Sequence, residues 1–329
     1  MAAFAASAVV VMLVRIWTTH KRILDHPNER SSHSSPRPRG GGVGIVIVVV
    51  AGTLLLDHAA IGALWPWLAA AIAIAVTGWI DDVRSLPTGL RVTVHLIAGI
   101  GAVLAYGGFA GLSQLSFGLL AAPLTVLWIV GLTNAFNFMD GIDGIAGAQA
   151  LMAGAAWAVI ADHRHDAVLL HAALLIAAAS AGFLLHNWSP ARIFMGDVGS
   201  TFLGFTLAVV PLLSGAGRRD ALIPALIVWP FVFDSGFTFL RRLGKRENVF
   251  AAHRSHLYQR LTIAGWSHAR VALLYMAFAA VGGAAAVGVD RGELAPAAAI
   301  GTVGVFALGL WWMTVSVESR RQTAASLSP

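Results

Sequence analysis

Eleven apolar stretches recur along this chain, at about 2–17, 43–57, 62–80, 91–108, 118–137, 144–161, 167–187, 199–215, 221–240, 270–289 and 295–316. Most approach the roughly 20 residues that an α-helix needs to cross the hydrocarbon of a bilayer. With 57% hydrophobic and 12% charged residues and a mean hydropathy of +0.75, the chain falls outside the soluble globular class. The expected fold is all-α: one polytopic membrane bundle of about eleven transmembrane helices over residues 1–329. The longest polar stretches, 18–42 and 241–269, are loops too short for a separate soluble domain.

Charge orients the bundle. If the N-terminus is outside and the spans alternate, all of the 22 Lys and Arg except Arg164, Arg218, Arg219 and Arg291 face one side. Basic short loops stay in the cytoplasm, so the N-terminus is expected out and the C-terminus in. Loops 18–42, 80–91, 137–145, 187–198 and 241–269 are then cytoplasmic. The high pI is thereby explained as topology, and no nucleic-acid partner is expected. Prolines 27, 36 and 38 exclude a helix through the first long loop. The second is expected to hold a short amphipathic helix near 255–263, lying on the lipid surface. The chain has no cysteine, so disulfides and thiolate metal sites are excluded.

The stretch "NAFNFMDGIDGIAG" at 134–147 is out of keeping with its apolar setting. It spaces Asn134, Asn137, Asp140 and Asp143 three apart, and carboxylates near hydrocarbon are costly to hold. Asp81 and Asp82 in "GWIDD", and Asp197 in "FMGDVGS", fall on the same predicted face, with His33, Asn187, His253 and His256. Five converging carboxylates repel one another unless cations, protons or hydrogen-bond donors intervene. Magnesium, with manganese as a substitute, suits such a hard oxygen site and is typically shared between carboxylates and substrate phosphates. Arg37, Arg39, Lys245, Arg246 and Arg254 would meet further phosphate charge. Gly141 and Gly144 would let backbone N–H groups approach an anion. The bland alternatives are a helix-end pair at Asp81–Asp82, an N-cap at Asp197, solvated loop histidines and a packing Phe194. Asp234, inside the ninth span, would either pair with a neighbouring helix or face a cavity, and its role stays open.

These motifs, with "DHPNERSSHSSPRPRGGG" and "HRSHLYQRL", occur in one order between about 20 and 265. Together they resemble the polyprenyl-phosphate N-acetylhexosamine-1-phosphate transferases, the wider family that includes the muramoyl-pentapeptide phosphotransferases. The resemblance implies transfer of a sugar 1-phosphate from a UDP-N-acetylamino sugar to undecaprenyl phosphate in the bacterial inner membrane, with release of UMP at the cytoplasmic face. It implies Asp197 and Asp82 as magnesium ligands and Asp81 and Asp82 as the groups that orient or deprotonate the lipid phosphate. Asn134, Asn137 and Asp140 would shape the phosphate site. Asn187, Asp143 and Phe194 would bind nucleotide, and His33, His253, His256 and Arg254 would meet phosphates or sugar. The pentapeptide branch carries a triple histidine where this chain reads "AAHRSHLYQ", which favours a simple sugar donor and the branch that initiates O-antigen and other surface polysaccharides. A homodimer is compatible with this reading. The competing class is an ion-coupled secondary transporter, which would tend to show inverted repeats and acids at the membrane midplane.

Overall fold

A computed structural model describes residues 1–25, 35–109, 119–214, 220–249, 251 and 253–327. Among them thirteen α-helices account for nearly all regular structure. In chain order these are α1 (Ala2–His20), α2 (Gly42–Leu56), α3 (Ile61–Arg84), α4 (Thr88–Tyr106), α5 (Ala121–Met139), α6 (Ile145–His163), α7 (Ala167–Asn187), α8 (Asp197–Leu213), α9 (Leu222–Ile227), α10 (Trp229–Gly244), α11 (Leu257–Ile263), α12 (His268–Asp290) and α13 (Pro296–Leu327). Two short strands, β1 (Leu24–Asp25) and β2 (Arg37–Pro38), pair antiparallel across the first loop. Eight helices are long and apolar enough to cross a membrane, and α2 and α8 are shorter apolar helices. The perimeter is apolar too, with Leu104 81% and Val305 68% exposed, as a lipid-facing surface requires.

Every expected span falls on a helix, but the ninth is broken. Pro230 has no N–H to continue an α-helical ladder, so the chain ends α9 and restarts as α10 with proline in its first turn. The break frees the Ile227 carbonyl, and the Gln149 amide of α6 donates to it at 3.1 Å. The Trp229 indole N–H is also used, donating to the Phe278 carbonyl of α12 at 2.8 Å.

Helix α8 is the buried axis. Every residue from Val198 to Leu212 is buried, and α2, α3, α4, α5, α6, α7 and α9 all pack against it. Small residues permit this crowding. A Cβ on Gly42 would lie 2.2 Å from Gly199 Cα, so α2 and α8 meet backbone to backbone.

The helix expected near 255–263 exists as α11, but it does not lie on a lipid surface. Leu257, Tyr258, Gln259 and Leu261 are buried in the bundle, and Arg260 pairs with Glu318 of α13. Seven residues with a mostly buried surface leave no continuous apolar face for lipid.

Gly42→Ala is expected to force α2 from α8 and cost about 1–3 kcal/mol, the usual range for overpacking. A lowered melting temperature in detergent checks this, against Gly62→Ala, whose added carbon would meet nothing.

Candidate active site

The site forms where α3 ends, α4 and α8 begin, and α5 turns into α6. Asp82 is buried, and its carboxylate accepts the backbone N–H groups of Asp197 at 2.9 Å and Val198 at 3.2 Å. It caps α8 from a different helix, satisfying amides that would otherwise be orphaned at the helix start. Gly196, at φ 77°, delivers the chain to this cap, and a Cβ there would lie 2.4 Å from Asp82 Oδ2. Arg39 is the nearest cation, 3.8 Å from Asp82 Oδ1.

Asp197 is placed by that cap as the first residue of α8. Arg91 of α4 lies between two helices' acids, donating to Asp81 at 2.8 Å and to Asp197 at 2.9 Å. Asp81 also accepts the Leu86 N–H, which closes the turn from α3 into α4. Asn137 donates to Ser200 Oγ at 3.1 Å, which ties the end of α5 to the first turn of α8.

Asp140 completes this group from the α5–α6 loop, and no side chain among the described residues donates to it. Its burial, reinforced by the charges of Asp197, Asp82 and Asp143, holds its carboxyl well above the usual carboxylate range. Asp143 faces elsewhere. It accepts the Ala191 N–H at 3.1 Å and lies 3.3 Å from His268 Nδ1 of α12. Burial pushes the Asp143 carboxyl up, but the bonds from His268 and Ala191 outweigh it and leave it below the usual range.

Asn187 staples two loops together. Its amide donates to the Ile193 carbonyl at 2.9 Å and accepts the Gly144 N–H at 2.9 Å. Gly144 has φ 80°, so its freedom is used in the turn and its N–H is taken by Asn187. Gly141 is crowded as well, since a Cβ there would lie 2.1 Å from the Tyr258 hydroxyl. The Gly144 N–H is thus spent on Asn187 and does not meet an anion, whereas Gly141 makes room for Tyr258. Phe194 joins the site through its backbone, donating to the Pro38 carbonyl and accepting from the Gly41 N–H, both at 2.9 Å. These bonds clamp the first loop onto the α7–α8 loop.

The histidines arrive just ahead of α11. His256 is its buried N-cap, with its ring 6.4 Å from that of Phe138 and 5.0 Å from that of His253. Tyr258 donates to the Phe138 carbonyl at 2.9 Å, which locks α11 to the end of α5 two residues before Asp140. Arg254 is half-buried between the two histidines in sequence. Asn134 lies one turn below Asn137, donates to the Val130 carbonyl of its own helix and bonds His95 of α4 instead of an acid. His33 lies outside the described residues.

The structure therefore gathers Asp81, Asp82, Asp140, Asp197 and Asn137, with Asp143 and Asn187 beside them. Arg91 belongs to no sequence motif and counts there only toward the charge of the 80–91 loop. The Ser-Leu-Pro turn at 85–87 that folds α4 back against α3 was the signal that it returns to Asp81. His268, the first residue of α12, carries no motif. Among the described residues no three His, Cys, Asp or Glu side chains surround a point as a complete metal cage. A cavity of about 370 Å³ opens between α5 and α10, lined by apolar residues including Leu124, Trp128, Leu132 and Val232.

Residues 64–215, which carry most of this site, match the family model for glycosyl transferase family 4. Over 281 residues the chain is 32% identical to the Bacillus subtilis (strain 168) protein named "Probable undecaprenyl-phosphate N-acetylglucosaminyl 1-phosphate transferase", covering 81% of this chain and 78% of that one. The chain belongs to glycosyl transferase family 4. Another similar member is the decaprenyl-phosphate N-acetylglucosaminephosphotransferase of Mycobacterium leprae (strain TN), 30% identical over 80% of this chain and 75% of its own. A third is the phospho-N-acetylmuramoyl-pentapeptide-transferase of Synechococcus sp. (strain JA-3-3Ab), 31% identical over 65% of this chain and 69% of its own.

The raised Asp140 carboxyl sets a sign for pH. A carboxyl held high in the fold leaves stability intact below its unfolded value of about 4 and removes it as pH rises through the folded value. Asp140→Asn is therefore expected to raise the melting temperature of metal-free protein, by a margin that widens as pH rises from about 4. Melting curves across that range decide it; a margin that stays flat or negative would contradict the raised carboxyl.

Proposed function

We propose that this member of glycosyl transferase family 4 transfers an N-acetylhexosamine 1-phosphate from a UDP-sugar to undecaprenyl phosphate, releasing UMP and starting a lipid-linked glycan. The carrying observation is the convergence of Asp81, Asp140 and Asp197 from separate helix ends, with Arg91 held between two of them. The named activities of the relatives support the coarser reading of a polyprenyl-phosphate sugar-1-phosphate transferase. The pair His253 and His256, in place of a triple histidine, supports a simple N-acetylamino sugar as donor and a product destined for O-antigen or another surface polysaccharide. The charge asymmetry of the loops supports placing the site at the cytoplasmic face of the inner membrane.

In this reading a lipid phosphate oxygen attacks the phosphorus bonded to the sugar. A new phosphoanhydride forms, the old one breaks, and its electron pair leaves with UMP. The attacking oxygen is already anionic, so the protein's work is positioning and charge compensation. The residues fit magnesium, which takes one or two carboxylates and fills its shell with water and substrate phosphates. Asp197 and Asp140 would hold it: no side chain among the described residues donates to Asp140, and Asp197, met by Arg91 and Asn137, keeps a quarter of its side chain exposed. Bound there, the ion would neutralise charge on the transferring phosphates. Asp82, whose oxygens already accept two backbone amides, is assigned the placing of Asp197 instead of direct ion contact. Arg91 and Arg39 supply fixed positive charge, and Asp81 orients Arg91. Asp143, Asn187 and Phe194 would receive the nucleotide, and the apolar cavity between α5 and α10 the first isoprene units.

The test is UMP release by purified protein given magnesium, undecaprenyl phosphate and a panel of UDP-N-acetylhexosamines, with UDP-N-acetylglucosamine first, and extraction of the matching lipid product. Asp197→Asn is expected to lose magnesium-dependent turnover by at least about 100-fold while still inserting in the membrane. Failure of folded protein across the whole panel would reject the transfer reading and make ion-coupled flux the next assay. Normal turnover by Asp197→Asn would remove Asp197 from the ion site.

A further inference from the structure

The strongest unassigned feature is Asp234, a carboxylate in α10 with no exposed surface. Five groups converge on it, from α10 itself, from the start of α11 and from α12. Oδ1 faces His256 Nδ1 at 3.2 Å, the Leu257 N–H at 2.8 Å and the Thr238 hydroxyl at 3.2 Å. Oδ2 accepts the Tyr258 N–H at 3.0 Å and the Tyr275 hydroxyl of α12 at 2.6 Å. A buried acid with this many donors is held as the carboxylate, which can only accept. A proton carried on His256 Nδ1 would complete this set of donors and leave Nε2 for another partner.

The same carboxylate sets the position of α11. By accepting the Leu257 and Tyr258 amides it fixes the helix start, and Tyr258 then reaches the Phe138 carbonyl at 2.9 Å. Asp140 follows two residues later. Contacts thus run without a gap from Asp234 through α11 to the acid cluster, and His256 rests against Phe138 along the same line.

Resting on the transfer reading above, we propose that Asp234 is the positioning residue for His256. It holds Nδ1 protonated and the ring fixed against Phe138, so that Nε2 meets the phosphates of the nucleotide-sugar while α11 stays docked beside Asp140. Asp234 touches no substrate. Its contribution passes through His256, which separates it from an ordinary helix cap.

Two measurements test this. The first needs no turnover: nitrogen NMR of histidine-labelled, full-length protein in lipid nanodiscs, with the His256 signal identified by its loss in His256→Gln. A protonated Nδ1 is expected, and an unprotonated Nδ1 with the proton on Nε2 would overturn the proposal. The second is a double-mutant cycle on UMP release. Asp234→Asn is expected to lower kcat by about 10–100-fold, as loss of an orienting partner commonly does. In a His256→Gln background the same change should cost within about twofold, because the group it orients is already gone. An equal loss in both backgrounds would make Asp234 only a cap and sink the proposal. Melting curves of each variant correct the rates for folded fraction, and Tyr275→Phe, which removes one donor and leaves the carboxylate, is expected to keep the protonated Nδ1. Absence of UMP release from wild-type protein would reject the transfer reading, while the NMR result would still decide the Asp234–His256 pairing.

Discussion

The contact between the Asp82 carboxylate and the first amides of α8 governs the rest of the site. Helix α8 is buried from Val198 to Leu212, so leading N–H groups left unpaired would be costly. Asp82 comes from the end of α3 and satisfies two of them at once. Satisfying them fixes the relative height of α3 and α8, and Asp197 is carried to the depth of Asp81. Arg91 can then reach both carboxylates from α4. The backbone contact of Gly42 with Gly199 closes the same helix end from the other side. One short buried helix and its borrowed cap therefore determine where the acids meet.

A second constraint is the break in the ninth span. Proline there costs the bundle an uninterrupted helix, but Gln149 satisfies the carbonyl it frees. The break lets α10 take its own direction, bringing Asp234 under the start of α11. Asp234 in turn recruits amides, hydroxyls and an imidazole to one point, which holds the histidine loop against the end of α5. Two carboxylates thus have parallel uses here. Each caps a helix from outside it, and each delivers functional side chains to the same end of the bundle.

Electrostatics explains why such crowding is tolerable. Asp81 and Asp197 share one guanidinium, Asp143 has the Ala191 amide and His268, and Asp82 has two amides with Arg39 behind them. Asp140 alone is left without a donor among the described residues, and its carboxyl is pushed upward in consequence. Such an unmet demand for positive charge is what a cation or a charged substrate complex would satisfy.

The apolar runs by themselves determined the all-α bundle and the place of each span, because a helix in lipid must satisfy its backbone internally and its length is set by the bilayer. The acidic motifs likewise marked the site, since charge so close to hydrocarbon demands a use. Division of labour among those residues was decided only by tertiary structure. The Asp81–Asp82 pair reads as two equivalent acids, yet one faces Arg91 and the other is spent on amides 115 and 116 residues further along the chain. Asn134 shares the spacing of Asn137 and Asp140 but bonds its own helix and His95 of α4, and the Gly144 N–H expected to greet an anion is taken by Asn187. Asp234 carried no legible role, because its partners lie on α11 and α12. Sequence patterns report the solvent a segment requires and the chemistry it carries; which group meets which depends on helix heights and close backbone contacts that no local spacing encodes.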